Sequence, residues 1–573
     1  MPAERGRMMK KFAGLIPEKW ETIAPYYDAL QKETVTPENM DRWLQEWSDL
    51  HVVLEDAMFA AYRAVTENTA DTEAEQKYMH FVEEIQPKVA TAEQLLAEKM
   101  LDISDSAIPE NRLEAVRRLK NWAALYNEKN LAIETELSKI GHEYDKVVGA
   151  MTVVIEGKEQ TMQQAGEYQF NVDRGLREKA WRTVQERWLK DREALDRIYF
   201  EMLPLRREMA KNAGFPDFRA YRWRKLSRFT YTPQDCLALH EAIEKEVIPV
   251  VRKYVNRKAS QMSLKTLRPW DMDVDALGRK ALRPFETVAQ LEEGVQRIFN
   301  QIDPALGSHF SRMRDGNLDL GSRRNKAPGA YCGGFHLTGK PYIFANAIGI
   351  HDDVVTLLHE SGHAFHFVES AHLDNIWDKG GMEAVNYEFG EVASMAMELL
   401  AAPYIEKEKG GFYEKDEADR ARSEHLLGII EFLPYMSVVD SFQHWVYAEA
   451  PENVTAADCD AKWGELWDRF MGWQDWSGLE SEKVTGWHRK LHIFHAPFYY
   501  IEYGLAQLGA LQIWRNALQD HSKALSQYRY ALSLGNTKPL PELYQAAGAR
   551  LAFDRATVAE LMQLVDQHLE KAL

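Results

Sequence analysis

The chain has 573 residues, of which 45% are hydrophobic and 28% are charged. This is the composition of a folded globular protein, and a chain of this length can bury a large core without disulfides or a structural metal. The 70 basic and 88 acidic residues leave a net charge of −18, which argues against nucleic acid and against anionic membrane surfaces as partners.

The cysteines and the apolar runs bear on the cellular compartment of the protein. Cys236, Cys332 and Cys459 are far apart and odd in number, so they predict neither a disulfide framework nor a paired-cysteine metal site. The apolar run at 12–16 is too short for a signal-peptide core, and the run at 426–439 is too short for a membrane span. We expect a cytoplasmic protein in a reducing compartment; the oligomeric state stays open.

Helical periodicity dominates the chain. Apolar residues recur at spacings of three and four in four long segments, 40–67, 72–99, 109–145 and 173–212. Strand signals are few: a β-branched run at 151–155, and two aromatic runs within 330–345 that flank a Gly-Lys-Pro turn. We therefore predict a mainly α protein with two small hairpins. A boundary near residue 170 divides an N-terminal helical region (1–170) from a longer C-terminal region (171–573).

The sharpest feature of the sequence is HESGH at 359–363, which fits the pattern H-E-x-x-H. On a helix, His359 and His363 lie on one face, so that their two imidazoles can bind one zinc ion. Glu360 lies beside the metal rather than on it, where its carboxylate can hold a water molecule that the metal also holds. The pattern therefore predicts a catalytic metal centre.

The surrounding residues favour a helix with two different faces. Asp352 or Asp353 can cap its N-terminus after Gly349. The apolar side chains fall on the face opposite the histidines: Val354, Leu357, Leu358, Phe365 and Val368. One face of the helix can pack into the core while the other lines a cavity.

A catalytic zinc needs a third protein ligand and an open position for water. His366 shares the histidine face, but it is about 10 Å from His359 along the helix axis, so we expect it to contact the ligands or the substrate instead. The next helical segment, 386–400, offers acidic residues at 388, 391 and 398. Glu383, twenty residues after His363, is a rival because thermolysin-like zinc peptidases use a similar spacing.

Two stretches together, HESGHAFH and EFGEVASMAMELL, resemble the signature of the thimet oligopeptidase and oligoendopeptidase F family of zinc peptidases. The similarity is closest to the oligoendopeptidase F and Pz-peptidase branch. Four further blocks resemble the family, at 227–235, 326–335, 341–347 and 492–507. The resemblance covers roughly 170 to 560. It implies a large helical two-lobed body around a deep substrate channel, with a small β-sheet beside the zinc helix.

The resemblance also implies a ligand set. His359, His363 and Glu391 would be the ligands of one zinc ion per chain, which ranks Glu391 above Glu383. Glu360 would be the catalytic acid and base.

The C-terminal block carries the remaining implied catalytic residues. The family places a histidine and tyrosines there, facing the carbonyl of the bond to be cut. His495, Tyr500 and Tyr503 are the catalytic candidates and His492 is a substrate-binding candidate, although the spacing matches the thimet oligopeptidase pattern only with a gap. The alternative for this stretch is an aromatic core helix that begins at Pro497, because proline favours the first helical turn.

The strand that begins at Ala330 is a candidate for substrate binding. Gly333 and Gly334 lack side chains, so another backbone can come close to them, and Tyr331 precedes them. An extended peptide could therefore pair with this strand.

These features together predict a zinc metalloendopeptidase that hydrolyses internal bonds of short peptides. One alternative is another zinc hydrolase such as an aminopeptidase, although the G-x-M-E-N element of those enzymes precedes the metal helix, whereas GGMEA here follows it. The other alternative is a non-catalytic helical peptide-binding protein with a structural metal. Such sites usually have four protein ligands, often cysteines, and no cysteine lies near HESGH.

Overall fold

The computed structural model describes residues 11–323, 325–327, 329–380 and 386–572. Its α-helices in the first half of the chain are α1 (Trp20–Lys32), α2 (Met40–Glu67), α3 (Thr72–His80), α4 (Gln86–Leu101), α5 (Leu113–Leu125), α6 (Glu128–Gly149), α7 (Met162–Gly166), α8 (Arg174–Lys190), α9 (Arg192–Asn212), α10 (Phe218–Lys225), α11 (Pro233–Ala242) and α12 (Ile248–Gln261). Those in the second half are α13 (Val288–Ile302), α14 (Pro304–Met313), α15 (His351–Glu369), α16 (Tyr387–Ala401), α17 (Lys415–Ala448), α18 (Ala456–Phe470), α19 (Glu480–Val484), α20 (Leu491–His495), α21 (Tyr500–Gln519), α22 (His521–Ser533), α23 (Leu540–Ala546) and α24 (Arg555–Ala572).

The described strands form two small sheets: β1 (Thr152–Ile155), β2 (Lys158–Thr161), β3 (Leu318–Gly321), β4 (Tyr331–Phe335) and β5 (Lys340–Ala347). The strands β1 and β2 are an antiparallel hairpin, and the other sheet has the order β3-β5-β4, with β3 parallel and β4 antiparallel to β5. Both predicted hairpins are confirmed. The turn between β4 and β5 lies at 336–339 and so ends at Gly339, the first residue of the predicted Gly-Lys-Pro turn, and the parallel strand β3 had no signal in the sequence.

The predicted helical segments are helical, with breaks that periodicity alone did not show. The segment 109–145 divides between α5 and α6, where the Asn127 side chain accepts a hydrogen bond from the backbone N–H of Lys129 and caps the second helix. The segment 173–212 divides at Asp191, and 72–99 contains one π-helical turn, Phe81–Ile85. The mainly α fold class is confirmed.

The described residues build two principal hydrophobic cores. The first joins apolar side chains from Phe12 to Ala123, and the second extends from Leu125 to Leu569. The division at 170 remains a prediction. All three cysteines are buried and free of disulfides. None of the described helices combines the length and the apolar character that crossing a membrane requires, and the cytoplasmic location remains a prediction.

The helix that carries HESGH, α15, begins at a tight turn after β5. Gly349 has φ +94°, a conformation that favours glycine. The Asp353 carboxylate accepts hydrogen bonds from the backbone N–H groups of residues 348, 349 and 350 at 2.7 to 2.9 Å. The helix begins at His351, so neither predicted aspartate precedes it. Asp353 instead caps from within the first turn by binding the backbone before the helix, and it fixes the angle at which α15 leaves the sheet.

A close contact between backbones holds α15 against α16. A methyl group placed on Gly362 would lie 2.4 Å from the carbonyl oxygen of Ala393 and 2.5 Å from Cα of Ser394. The helix α16 packs between α15 and α21 and is buried along nearly its whole length. The two helices can therefore pack at this separation only if residue 362 is glycine.

We expect Gly362→Ala to lower the free energy of unfolding by about 1–3 kcal/mol, because the added methyl group overlaps backbone atoms that cannot move independently. Denaturant unfolding of the purified chain measures this change. Gly428→Ala in α17 is the matched control, since no atom lies within 4 Å of the added methyl group. That substitution should be neutral or stabilising by up to about 1 kcal/mol. Equal effects of the two substitutions would contradict the role given to the close contact.

Candidate metal centre

The structure brings His359, His363 and Glu391 together. The Nε2 atoms of His359 and His363 lie 3.3 and 3.5 Å from the same oxygen, Oε2 of Glu391. Their ligand atoms all lie within 4.8 Å of one another, and no other group of three or more such side chains in the described residues meets that condition. Two imidazole nitrogens and one carboxylate oxygen are a donor set suited to a divalent transition metal.

The charge states in this group fit a cation. Burial would raise the pKa of Glu391, but the imidazoles of His363 and His359 and the hydroxyl of Tyr499 outweigh it and lower the pKa to about 2. Burial lowers the pKa of His363 to about 4, so this imidazole is neutral and its lone pair is available. The centre therefore presents an anionic carboxylate and a neutral imidazole, while the carboxylates of Glu391 and Glu398 outweigh burial and raise the pKa of His359. A bound cation would displace the proton from Nε2 of His359.

A second carboxylate orients the first histidine. Nδ1 of His359 lies 2.6 Å from Oε1 of Glu398, and Nε2 of His425 lies 2.7 Å from the other oxygen of Glu398. An ionised carboxylate only accepts hydrogen bonds, so Nδ1 of His359 donates and its Nε2 is left to face Glu391. Supporting carboxylates of this kind fix the tautomer and the ring orientation of metal-binding histidines.

The remaining acidic candidates lie elsewhere. The Glu388 carboxylate accepts a hydrogen bond from the Tyr231 hydroxyl and lies 3.7 Å from Nε of Arg228. Glu383 lies outside the described residues. His366 is buried against the ring of Phe389, and its Nε2 has no hydrogen-bond partner among the described residues.

Glu360 lies beside the histidine pair in a buried position. Its side chain is buried, and its Oε2 has no hydrogen-bond partner in the described part of the chain. Burial raises the pKa of this carboxyl to about 7. A carboxyl group with a pKa near neutrality can both accept and return a proton.

The C-terminal block contributes a residue that the sequence reasoning missed. The hydroxyl of Tyr499 donates a hydrogen bond to Oε1 of Glu391 at 2.7 Å, and the hydroxyl of Ser394 donates to Oε2 at 3.0 Å. The available signal was spacing: Tyr499 and Tyr503 are four residues apart and so share a face, whereas Tyr500 does not. The helix α21 begins at Tyr500 rather than at Pro497, which places Tyr499 at its N-terminal edge.

The predicted residues of this block divide into two groups. The hydroxyl of Tyr503 lies 3.4 Å from Nε2 of His492, and burial followed by the charge of Glu391 raises the pKa of Tyr503. Tyr500 instead accepts a hydrogen bond from Nζ of Lys490 at 3.0 Å.

His495 contacts the N-terminal region of the chain. Its Nε2 lies 2.9 Å from Oδ1 of Asp145 in α6, and its ring lies over Gly141, where a methyl group would come within 2.9 Å of it. Burial lowers the pKa of the other predicted histidine, His492, to about 4.

The predicted substrate strand is an edge strand. Within the described residues β4 pairs only with β5. Tyr331 shares a hydrogen bond with the Thr66 hydroxyl at 2.7 Å and stacks on Phe344. Gly333 and Gly334 lie under the rings of Phe59 and Phe367, where a methyl group would come within 2.1 and 2.3 Å of ring atoms. These glycines are therefore required for packing, independently of any ligand.

A helix-borne pair of histidines, joined by a carboxylate from the following helix, is the donor set typical of zinc-dependent peptidases. Residues 168–563 match the model of peptidase family M3. Because this match covers well over half of the chain, the chain belongs to peptidase family M3. The predicted resemblance is confirmed, and the matched range agrees with the predicted one.

Solved structures show the same fold. The structure of Pz peptidase A with an inhibitor superposes with a TM-score of 0.90 at 24% identity, covering 96% of this chain and 97% of the other. A structure from Bacillus anthracis strain Ames, assigned to oligoendopeptidase F, gives a TM-score of 0.85 at 22% identity, covering 96% of each chain.

A sequence comparison also finds a relative of the oligoendopeptidase F type. An oligoendopeptidase F homologue from Borreliella burgdorferi strain B31 is 23% identical over 296 residues, which is 49% of this chain. The match spans about half of that relative, 47% of its length.

We expect Glu398→Gln to weaken metal binding roughly 10- to 100-fold, because the amide no longer holds the Nδ1 proton of His359 as a carboxylate does. Competition with a chromophoric chelator measures the affinity. Glu465→Gln in α18, a side chain that is 65% exposed, is the control and should leave the affinity unchanged. An unchanged affinity in Glu398→Gln would show that Glu398 does not support the centre.

Proposed function

We propose that the chain is a zinc metalloendopeptidase that hydrolyses internal bonds of short peptides. One zinc ion per chain would be held by His359, His363 and Glu391. The observation that carries this proposal is the single oxygen of Glu391 that faces both Nε2 atoms at 3.3 and 3.5 Å. When bound, zinc supplies Lewis-acid activation of water and of the peptide carbonyl.

Glu360 would perform the proton transfers. Its unpartnered Oε2 takes a proton from the attacking water molecule, and the same oxygen then gives that proton to the leaving amine. Burial keeps the group in a site with little water, where a carboxyl with a raised pKa can do both steps at neutral pH.

The tyrosine and histidine cluster around Glu391 would stabilise the negative oxygen that develops on the carbonyl. We propose Tyr503 and His492 for this role, with Tyr499 beside them, since all three belong to the cluster around Glu391. One such donor is worth about 3 kcal/mol, or roughly 100-fold or more in rate. Tyr500 and His495 would support the block through their bonds to Lys490 and Asp145.

The outer edge of β4 would bind the substrate. An extended peptide can add to an edge strand through main-chain hydrogen bonds, with Tyr331, Gly333 and Gly334 on the strand it joins. A substrate held in this way must be extended over several residues. We therefore propose short flexible peptides as substrates, entering a deep channel between two helical lobes that excludes folded proteins.

Glu360→Gln tests the proton-transfer role. The amide has the same shape but cannot take a proton, so we expect stoichiometric zinc and a loss of turnover of roughly 100-fold or more. Metal analysis and the cleavage rate of a quenched fluorescent peptide measure the two properties. Normal turnover in this variant would remove Glu360 from the mechanism.

Metal content and the cleavage pattern test the rest of the proposal. Glu391→Ala should lose zinc, and Glu383→Ala should retain it; the reverse result would reassign the third ligand. A peptide of about ten residues should be cut internally, and a folded protein should resist. Stepwise release of N-terminal residues would instead indicate an aminopeptidase, and a chain with zinc but no cleavage would indicate a binding protein.

A further inference from the structure

The backbone immediately before Tyr499 has an uncommon conformation. Phe498 has φ +64°, in the left-handed region that non-glycine residues seldom adopt. A residue persists in such a conformation only where its surroundings leave it no alternative. The next residue, Tyr499, carries the hydroxyl that donates to Glu391 at 2.7 Å. The strained peptide therefore sets where this hydroxyl lies.

Two buried side chains hold both polar groups of Phe498. Its backbone N–H donates to Oε1 of Gln443 at 2.7 Å, and its carbonyl accepts a hydrogen bond from Nη2 of Arg228. Gln443 is fully buried in α17, and Arg228 is 5% exposed in the loop before α11. Neither backbone group could find water if its partner were removed, so both partners are needed.

The same arginine ties this turn to the helices around the metal centre. Nη2 of Arg228 also donates to Oε1 of Glu502 at 2.6 Å, and its Nε lies 3.7 Å from Glu388 of α16. The ring of Phe498 is fully buried and packs against Trp223, His444 and Tyr447. The turn is thus fixed from several sides.

We propose that Gln443 and Arg228 are positioning residues, which hold the strained Phe498 peptide and so place the Tyr499 hydroxyl on Glu391. This inference rests on the proposed function and deepens it. Neither side chain bonds to His359, His363 or Glu391, so each acts on the centre through Phe498 and Tyr499. A purely structural role would predict an effect on stability alone.

A double-mutant cycle tests the proposal through Gln443, because removing Arg228 would leave Glu502 buried without its partner. Gln443→Met keeps the length of the side chain and removes the acceptor. We expect kcat for a short fluorescent peptide to fall by as much as about 100-fold with zinc content unchanged. In a Tyr499→Phe background the same substitution should lower kcat by less than about threefold, because the hydroxyl that Gln443 helps to position is already absent.

Two further variants complete the design. Gln443→Glu keeps an acceptor oxygen at the same place and should stay within about threefold of the wild type. Gln512→Met is the matched control: Gln512 is also buried and bonds a backbone N–H at 3.0 Å, that of Arg550, but it lies far along α21 from Tyr499. It should leave kcat unchanged.

The outcomes separate the two proposals. If the wild type is active and Gln443→Met lowers kcat by the same factor with Tyr499 and with Phe at that position, the positioning role alone is overturned. If Gln443→Met does not fold, a Gln443→Glu variant that folds but loses kcat by 10-fold or more also overturns it. A wild type that binds zinc and cleaves no peptide overturns the proposed function and this inference together.

Discussion

The contact between Gly362 and the backbone at Ala393 and Ser394 is the constraint on which the centre depends. Only a residue without a side chain lets α15 and α16 come this close, and the contact lies one residue before His363 and two to three residues after Glu391. The two imidazoles on one helix therefore face the carboxylate on the neighbouring helix directly. Placing candidate ligands on packed helices limits their motion, as a catalytic metal centre would require.

The burial of α16 explains why its acids are all engaged. A carboxylate in the interior is costly unless it is paired or hydrogen-bonded. Each of the three acids has its own partners: Glu388 has Tyr231 and Arg228, Glu391 has two imidazoles and Tyr499, and Glu398 has His359 and His425. The helix thus links the metal centre to α17 and to the loop that carries Arg228, and the same arginine continues to the turn at Phe498. Centre and supporting network form one buried polar system.

Local sequence patterns predicted much of the secondary structure and part of the candidate site. The spacing of HESGH, the capping aspartate and the opposite apolar stripe predict α15, and the aromatic runs around a turn predict the β4–β5 hairpin, because helix and strand periodicities are local properties. The helix breaks at Asn127 and Asp191 were missed, because a cap involves only one or two residues and the apolar periodicity continues on both sides of it. The parallel strand β3 was missed because its partner is distant in the chain.

By itself, the sequence determined the histidine pair, the adjacent Glu360 and a short choice of acids, because these follow from the positions of residues on one helix. Only the tertiary structure decided which acid faces the imidazoles, which one supports His359, and that Tyr499 rather than Tyr500 bonds to Glu391. Those outcomes depend on where separate helices cross and on the strained peptide at Phe498. Contacts between elements are set by packing across the core, which spacing along the chain does not encode.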